Sequence, residues 1–188
     1  NIPHFVYLED IGVDRLGQFA DSQNNIIQSL FKLYPWEDMV REEYAPFLSV
    51  SDVTFLEPAW KAILSNKALL PLIWQFNKGH PNLLPAVFEG SAEMEEVGNH
   101  FVKKPIFSRE GANVSIYQDG QERLKGEGEY GEEGYIYQAF NPLPCFDGNY
   151  AGIGSWLVGD EPAGMAVREE KSLITKDLSR FIPHIILG

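Results

Sequence analysis

The run YAGIGSWLVGDEPAGMAVREE, residues 150–170, narrows the possible folds more than any other stretch of the chain. Apolar residues alternate, a GDEPAG turn interrupts them, and alternation resumes, which reads as an antiparallel hairpin. Similar signals recur upstream. GVDRLGQFADSQNNIIQ reads as a hairpin insertion, and SLFKLYP, VTFLEP and GYIYQAF (134–140) read as strands. HFVYLED (4–10) also alternates and is expected to be a strand. FVKKPIFSREGANVSIYQ (101–118) reads as a second hairpin. Helical periodicity is rarer. WEDMVREEYAPFL fits a short helix, SAEMEEVGNH a short acidic one, and AWKAILSNKALLPLIWQF (59–76) a longer one that Pro71 is expected to break or kink. Strands with interspersed helices and a hairpin-rich second half make the fold class α+β, with antiparallel sheets and packed helices.

Composition limits the function classes. The 188 residues suit one domain or one and a half. A net charge of −12 argues against nucleic acid, whose backbone needs clustered lysine and arginine, and suits a cationic ligand such as a polyamine. Most of that charge is expected simply to solvate the surface. No apolar run approaches a membrane span, so no membrane partner is expected. The single cysteine, Cys145, fits a reducing, cytoplasmic setting and reads as a small apolar filler. The four histidines are scattered without ligand spacing, so no zinc site is expected. There is no P-loop, nucleophile elbow or dinucleotide fingerprint. GIGSW (152–156) lies within a strand, and its glycines are expected to mark close packing. The chain opens on NIPHFVYLED, which reads as the middle of a longer protein.

Three stretches are candidates for chemistry. In the 101–118 hairpin, Lys103 and Lys104 point to opposite faces of one strand. One of them could enter a cleft as a phosphate point charge, with the backbone N–H groups of Gly111 and Ala112 close by. The alternative is a surface turn with two solvated lysines, and spacing alone favours it. Lys67, in SNKALLP, is either a second such lysine or one snorkelling at the edge of a packed helix. EEGYIYQAFNPLP could hold a flat heterocycle such as adenine among apolar side chains, or its aromatics could simply pack. GEGEYGEEG (126–134) reads as a mobile, solvated loop or a weak cation site.

Taken in order, FLEPAWKAILSNKALLPLIWQFNKGHPNLLPAVFE, FVKKPIFSREGANVSI, GEEGYIYQAFNPLPCFDGNYAGIGSWLVGDEPAGMAVREE and ITKDLSRFIPH resemble the C-terminal part of the glutathionylspermidine synthase family. The likeness is strongest to its bacterial acid–amine ligase branch and covers nearly the whole chain. It implies a circularly permuted ATP-grasp fold, with residues 1–188 as the C-terminal portion of the synthetase domain and the N-terminal half absent. It implies an ATP-dependent acid–amine ligase that joins carbon to nitrogen through an acyl-phosphate, with a glutathione-like acid and a polyamine-like amine.

Residue by residue, the resemblance places Lys67 and Lys104 on nucleotide phosphate. Lys104 is preferred to Lys103 because it directly precedes the proline. Arg109, Gly111, Ala112 and Asn113 fall on a loop that closes over the phosphates, with Arg109 balancing charge during phosphoryl transfer. Gln138, Ala139, Phe140 and Asn141 fall beside adenine, and Leu173, Ile174 and Thr175 line the same pocket. Arg168 is a further catalytic candidate. The family's Mg2+ ligands and another catalytic arginine are expected upstream of this chain, and no amidase domain is expected within it. A non-catalytic nucleotide- or small-molecule-binding module of the same fold is the alternative. The ligase reading requires Lys67, Lys104 and Gln138 to converge on one cleft.

Overall fold

Short strands and single helical turns account for most of the regular structure. The computed structural model describes residues 3–185, and the chain divides into two units, Asn1–Asn66 and Lys67–Gly188.

In the first unit, β1 (Gly12–Val13) and β2 (Phe19–Ala20) form the expected antiparallel pair. Asp14 closes their turn, its Oδ1 accepting the N–H groups of Leu16 and Gln18 at 2.8 Å. β3 (Ser29–Phe31) pairs with β4 (Thr54–Leu56) in parallel, a departure from the antiparallel expectation. Between them α1 (Trp36–Met39) follows Pro35 and ends after one turn. Its hydrogen bonding tightens there from Val40 N to Trp36 O, then to Arg41 N to Asp38 O. A 3-10 turn follows at Ala45–Ser49. The aromatic centre is Trp36 and Phe19, each packed edge-on to Phe55 at 5.1 and 6.0 Å between ring centroids. Lys32 is buried beside it. Its Nζ lies 4.4 Å from the Trp36 ring centroid and donates to Glu57 Oε1 and Tyr34 O.

Two expectations fail in this unit. Residues 4–10 are not a strand: a 3-10 turn occupies Leu8–Asp10, and Phe5 and Tyr7 are 98% and 75% exposed. Alternation makes a strand only where a partner supplies the other half of the ladder. The 59–76 helix is in fact three pieces, a 3-10 turn Ala59–Lys61, α2 (Ala62–Ser65) and α3 (Leu69–Phe76). The interruption falls at Asn66, whose ψ of 113° is extended, and not at Pro71. Pro71 is the third residue of α3, within the first turn, where an N–H has no intrahelical partner to lose.

The second unit holds two antiparallel sheets. The larger orders its strands β5-β9-β6-β7-β8, comprising β5 (Ala86–Phe88), β6 (His100–Pro105), β7 (Ser115–Gln118), β8 (Gln121–Lys125) and β9 (Tyr135–Ala139). α3 packs along β5, and the acidic stretch forms a 3-10 turn at Met94–Val97. Trp74 Nε1 and Lys78 Nζ both donate to Glu96, which ties that turn to α3. Buried Ala86, Val87, Val97, Ile116 and Ile136 form the core, and Ile136, on β9, is wholly inaccessible.

The smaller sheet runs β10 (Cys145–Phe146), β11 (Asn149–Val158), β12 (Glu161–Glu170) and β13 (Arg180–Ile182) in order. The expected hairpin is present, but Val158 pairs with Glu161, so the turn is Gly159-Asp160 alone. Cys145 is exposed on its two-residue edge strand and is not the buried filler expected. Nor do Gly152 and Gly154 mark close packing. A Cβ at either would meet only a cross-strand carbonyl, at 4.0 and 3.9 Å.

Candidate functional site

β6 separates the two lysines as alternation requires, and the structure gives them opposite surroundings. Lys103 lies 4.0 Å from the Tyr135 ring centroid and donates to Glu89 Oε1 at 2.9 Å. The Tyr137 hydroxyl donates to the same carboxylate. Burial disfavours the Lys103 charge, but the Glu89 hydrogen bond and the neighbouring tyrosines raise its pKa overall, and Glu89 is correspondingly lowered. This lysine is neutralised by its own chain.

Lys104 is held differently. It pairs with Ile136 across the β6–β9 ladder, and Val102 pairs with Gln138, so Lys104 and Gln138 share a face. Lys104 Nζ donates to Gln138 Oε1 at 2.6 Å. No carboxylate among the described residues meets it. Burial, and then the positive charge of Lys67, bring its pKa from 10.5 to about 8. Lys67 is anchored to the chain just past the end of that strand. Its backbone N–H donates to Ile106 O at 2.9 Å and its Nζ to Ser108 O at 2.6 Å. Lys104 therefore meets Gln138 directly and lies within range of the Lys67 charge.

The loop after β6 departs from a simple hairpin tip. Glu110, Gly111 and Asn113 are left-handed, with φ of 55°, 75° and 52°. A Cβ at Gly111 would sit 2.3 Å from Ile174 Cγ2 and 2.7 Å from Thr175 O. The missing side chain thus admits this chain's own 174–175 segment, which brings Ile174 and Thr175 to the loop. Ile174 is buried there, and Leu173 beside it is half-buried. Ala112 touches the glycine–glutamate segment, where a Cβ at Gly128 would lie 2.7 Å from its own Cβ. Arg109 is exposed at the start of the loop.

Along β9 and beyond, Gln138, Ala139 and Phe140 are half-buried and Asn141 is exposed. The N–H of Ala139 donates to Pro85 O at 2.8 Å and that of Phe140 to His100 O at 2.9 Å. Those two donors are occupied by the chain itself, so a ring's edge would have to be read by other groups. Arg168 lies on the smaller sheet. Its guanidinium stacks 5.0 Å from the Phe181 centroid and donates to Lys176 O at 2.8 Å and Asp177 O at 3.4 Å. In this arrangement it braces the 176–177 turn.

Ser108 and Ile106, which anchor Lys67 through main-chain carbonyls, carry no side-chain signal that a sequence could show. Gly126, Gly128 and Tyr130, which pack on the loop, were visible only as a glycine-rich run.

The family model described as glutathionylspermidine synthase preATP-grasp matches residues 2–187. The chain belongs to the glutathionylspermidine synthase family. Similar proteins include a Haemophilus influenzae protein named "Putative acid–amine ligase", 44% identical over 188 residues, covering 96% of this chain and 48% of that one. Trypanothione synthetase of Crithidia fasciculata is 33% identical over 193 residues, covering 90% of this chain and 29% of its own. The bifunctional glutathionylspermidine synthetase/amidase of Escherichia coli is 30% identical over 204 residues, covering 96% and 33%. This family member thus spans about half, or less, of the relatives it matches. No helix among its described residues is long and apolar enough to cross a membrane.

Proposed function

We propose that this chain is the C-terminal portion of an ATP-dependent acid–amine ligase with a circularly permuted ATP-grasp fold. The observation that carries this reading is Lys104, a part-buried cation that meets no carboxylate among the described residues and sits close enough to Lys67 for that charge to depress its pKa. Burying a cation such as Lys104 beside a second positive charge is costly, and an anion bound there offsets the cost. A nucleotide polyphosphate fits that requirement, with Lys67 and Lys104 on the phosphates, Gln138 holding the Lys104 ammonium in place and Ser108 O holding that of Lys67.

Bound ATP would supply a phosphoryl group to a carboxylate, making it an acyl-phosphate from which an amine displaces phosphate. The two lysines would bind and orient the polyphosphate as point charges. Arg109, on the loop beside Ser108, would offset charge developing on the transferred group. Gln138 to Asn141 would flank the base, with Leu173 to Thr175 completing the pocket wall through the loop they touch. Arg168 would contribute by holding the 176–177 turn. Among the described residues no three of His, Cys, Asp and Glu gather where they could share a metal ion. Mg2+ enters no step proposed for them.

The relatives' names point to glutathione and spermidine chemistry, and we extend to this protein a glutathione-like acid and a polyamine-like amine. The test is phosphate release from ATP by the complete polypeptide, screened over acid–amine pairs. Release that depends on both an acid and an amine, with an amide product by mass, is expected. Nucleotide binding without release under every pair would instead favour a non-catalytic module.

A further inference from the structure

The glycine–glutamate run 126–134 is not the free loop its composition suggests. It leaves β8 with the Gly126 N–H donating to Val114 O at 2.8 Å. It then passes the loop after β6 so closely that side chains are excluded. A Cβ at Gly126 would lie 2.1 Å from Gly111 O, and one at Gly128 would lie 2.6 Å from Asn113 Oδ1. At the next residue but one, the Tyr130 N–H donates to Asn113 Oδ1 at 2.8 Å. Asn113 has a φ of 52°, a conformation that asparagine tolerates because its short polar side chain can bond to nearby backbone. Here that side chain bonds to backbone seventeen residues further on. On its other side the same loop rests on Ile174 and Thr175 through Gly111. The loop is thus held between two segments, and one side-chain hydrogen bond fastens the outer one.

That loop begins at Ser108, whose carbonyl oxygen holds the Lys67 ammonium, and at Arg109. We propose that Asn113 is a positioning residue: its Oδ1 clasps segment 126–134 onto the loop, so that loop and segment present Ser108 and Arg109 to the nucleotide as one body. This rests on the nucleotide reading above, but differs from placing Asn113 on the nucleotide itself. Its side-chain oxygen is already engaged by Tyr130 and acts through the loop.

Two variants of the complete polypeptide separate the clasp from the backbone. Asn113→Gly keeps the left-handed conformation and deletes the acceptor, whereas Asn113→Asp keeps both. Hydrogen exchange at the Tyr130 amide reads the clasp, and calorimetric titration with ATP reads its consequence. Asn113→Gly is expected to speed exchange at Tyr130 and weaken ATP binding by about three- to tenfold, the scale of one net hydrogen bond. Asn113→Asp, which keeps the acceptor, is expected to restore slow exchange at Tyr130. A merely structural asparagine would lower the melting temperature and leave the ATP affinity of the folded protein unchanged, which overturns the proposal. So does exchange at Tyr130 that is as fast in Asn113→Asp as in Asn113→Gly. If Asn113→Gly does not fold, Gly128→Ala, which forces a methyl against the same oxygen, is read the same way. If the wild-type protein does not bind ATP, the nucleotide reading fails separately, and Tyr130 exchange alone decides whether the clasp exists.

Discussion

Burial makes Lys104 unlike the lysine beside it. Its pKa of about 8, against 10.5 for a free side chain, means that the folded protein releases this proton well before the unfolded chain does. Between those values the unfolded state binds more protons, so stability rises with pH from about 8 towards 10.5. Phosphate affinity runs the other way, because only the protonated form attracts an anion. ATP binding should therefore weaken from pH 7 to pH 9. Lys104→Arg, which stays charged, should flatten that profile, and Lys104→Met should weaken binding at both values; titration calorimetry at the two pH values checks this. Lys103 supplies the contrast, because Glu89 already satisfies it. Gly111 makes a second residue-scale case. Gly111→Ala adds a methyl that Ile174 and Thr175 leave no room for. Gly90 is also left-handed, at 77°, but nothing lies within 4 Å of its missing Cβ. Gly90→Ala should cost about 1–2 kcal/mol, the left-handed penalty alone. Gly111→Ala should cost clearly more in denaturant unfolding, and the difference measures the close approach to Thr175.

At the scale of elements, β9 joins the site to the core. It lies between β5 and β6; Ile136 points into the packed interior and Gln138, two residues on, holds Lys104. Truncation at Ile136 removes contacts on a strand hydrogen-bonded on both sides, so Ile136→Ala should destabilise by about 2–5 kcal/mol. Melting followed with and without ATP should show a lower midpoint in both cases. If the strand supports the lysine, ligand-induced stabilisation should shrink as well. Elements were legible where their signal was local. The hairpin at 150–170 and the strand at 134–140 depend on alternation and turn residues, and both formed. The 4–10 strand did not, because alternation there found no partner. The 59–76 helix broke at Asn66 rather than at Pro71, because proline in a first helical turn costs no hydrogen bond.

For the whole molecule, membership in the glutathionylspermidine synthase family and the lysine-centred site support the same reading, yet this chain matches only part of each relative. The complete polypeptide is expected to release phosphate from ATP only with both substrates present. Lys67→Ala and Lys104→Ala should each reduce that rate by at least tenfold, measured by phosphate release. Comparable loss from Lys103→Ala would contradict the division of roles between the two neighbours.

Read without coordinates, the chain already specified an α+β fold, most of its hairpins and the residues to suspect, because turn chemistry and alternation are local and the ordered motifs resemble one family. It left open how the surroundings of Lys103 and Lys104 differ, and whether the glycine–glutamate run is loose. Only tertiary structure decided those. Glu89 lies fourteen residues before Lys103, Gln138 thirty-four after Lys104, and Tyr130 seventeen after Asn113. Pairings at such separations depend on strand order and register, which alternation along a single strand does not encode.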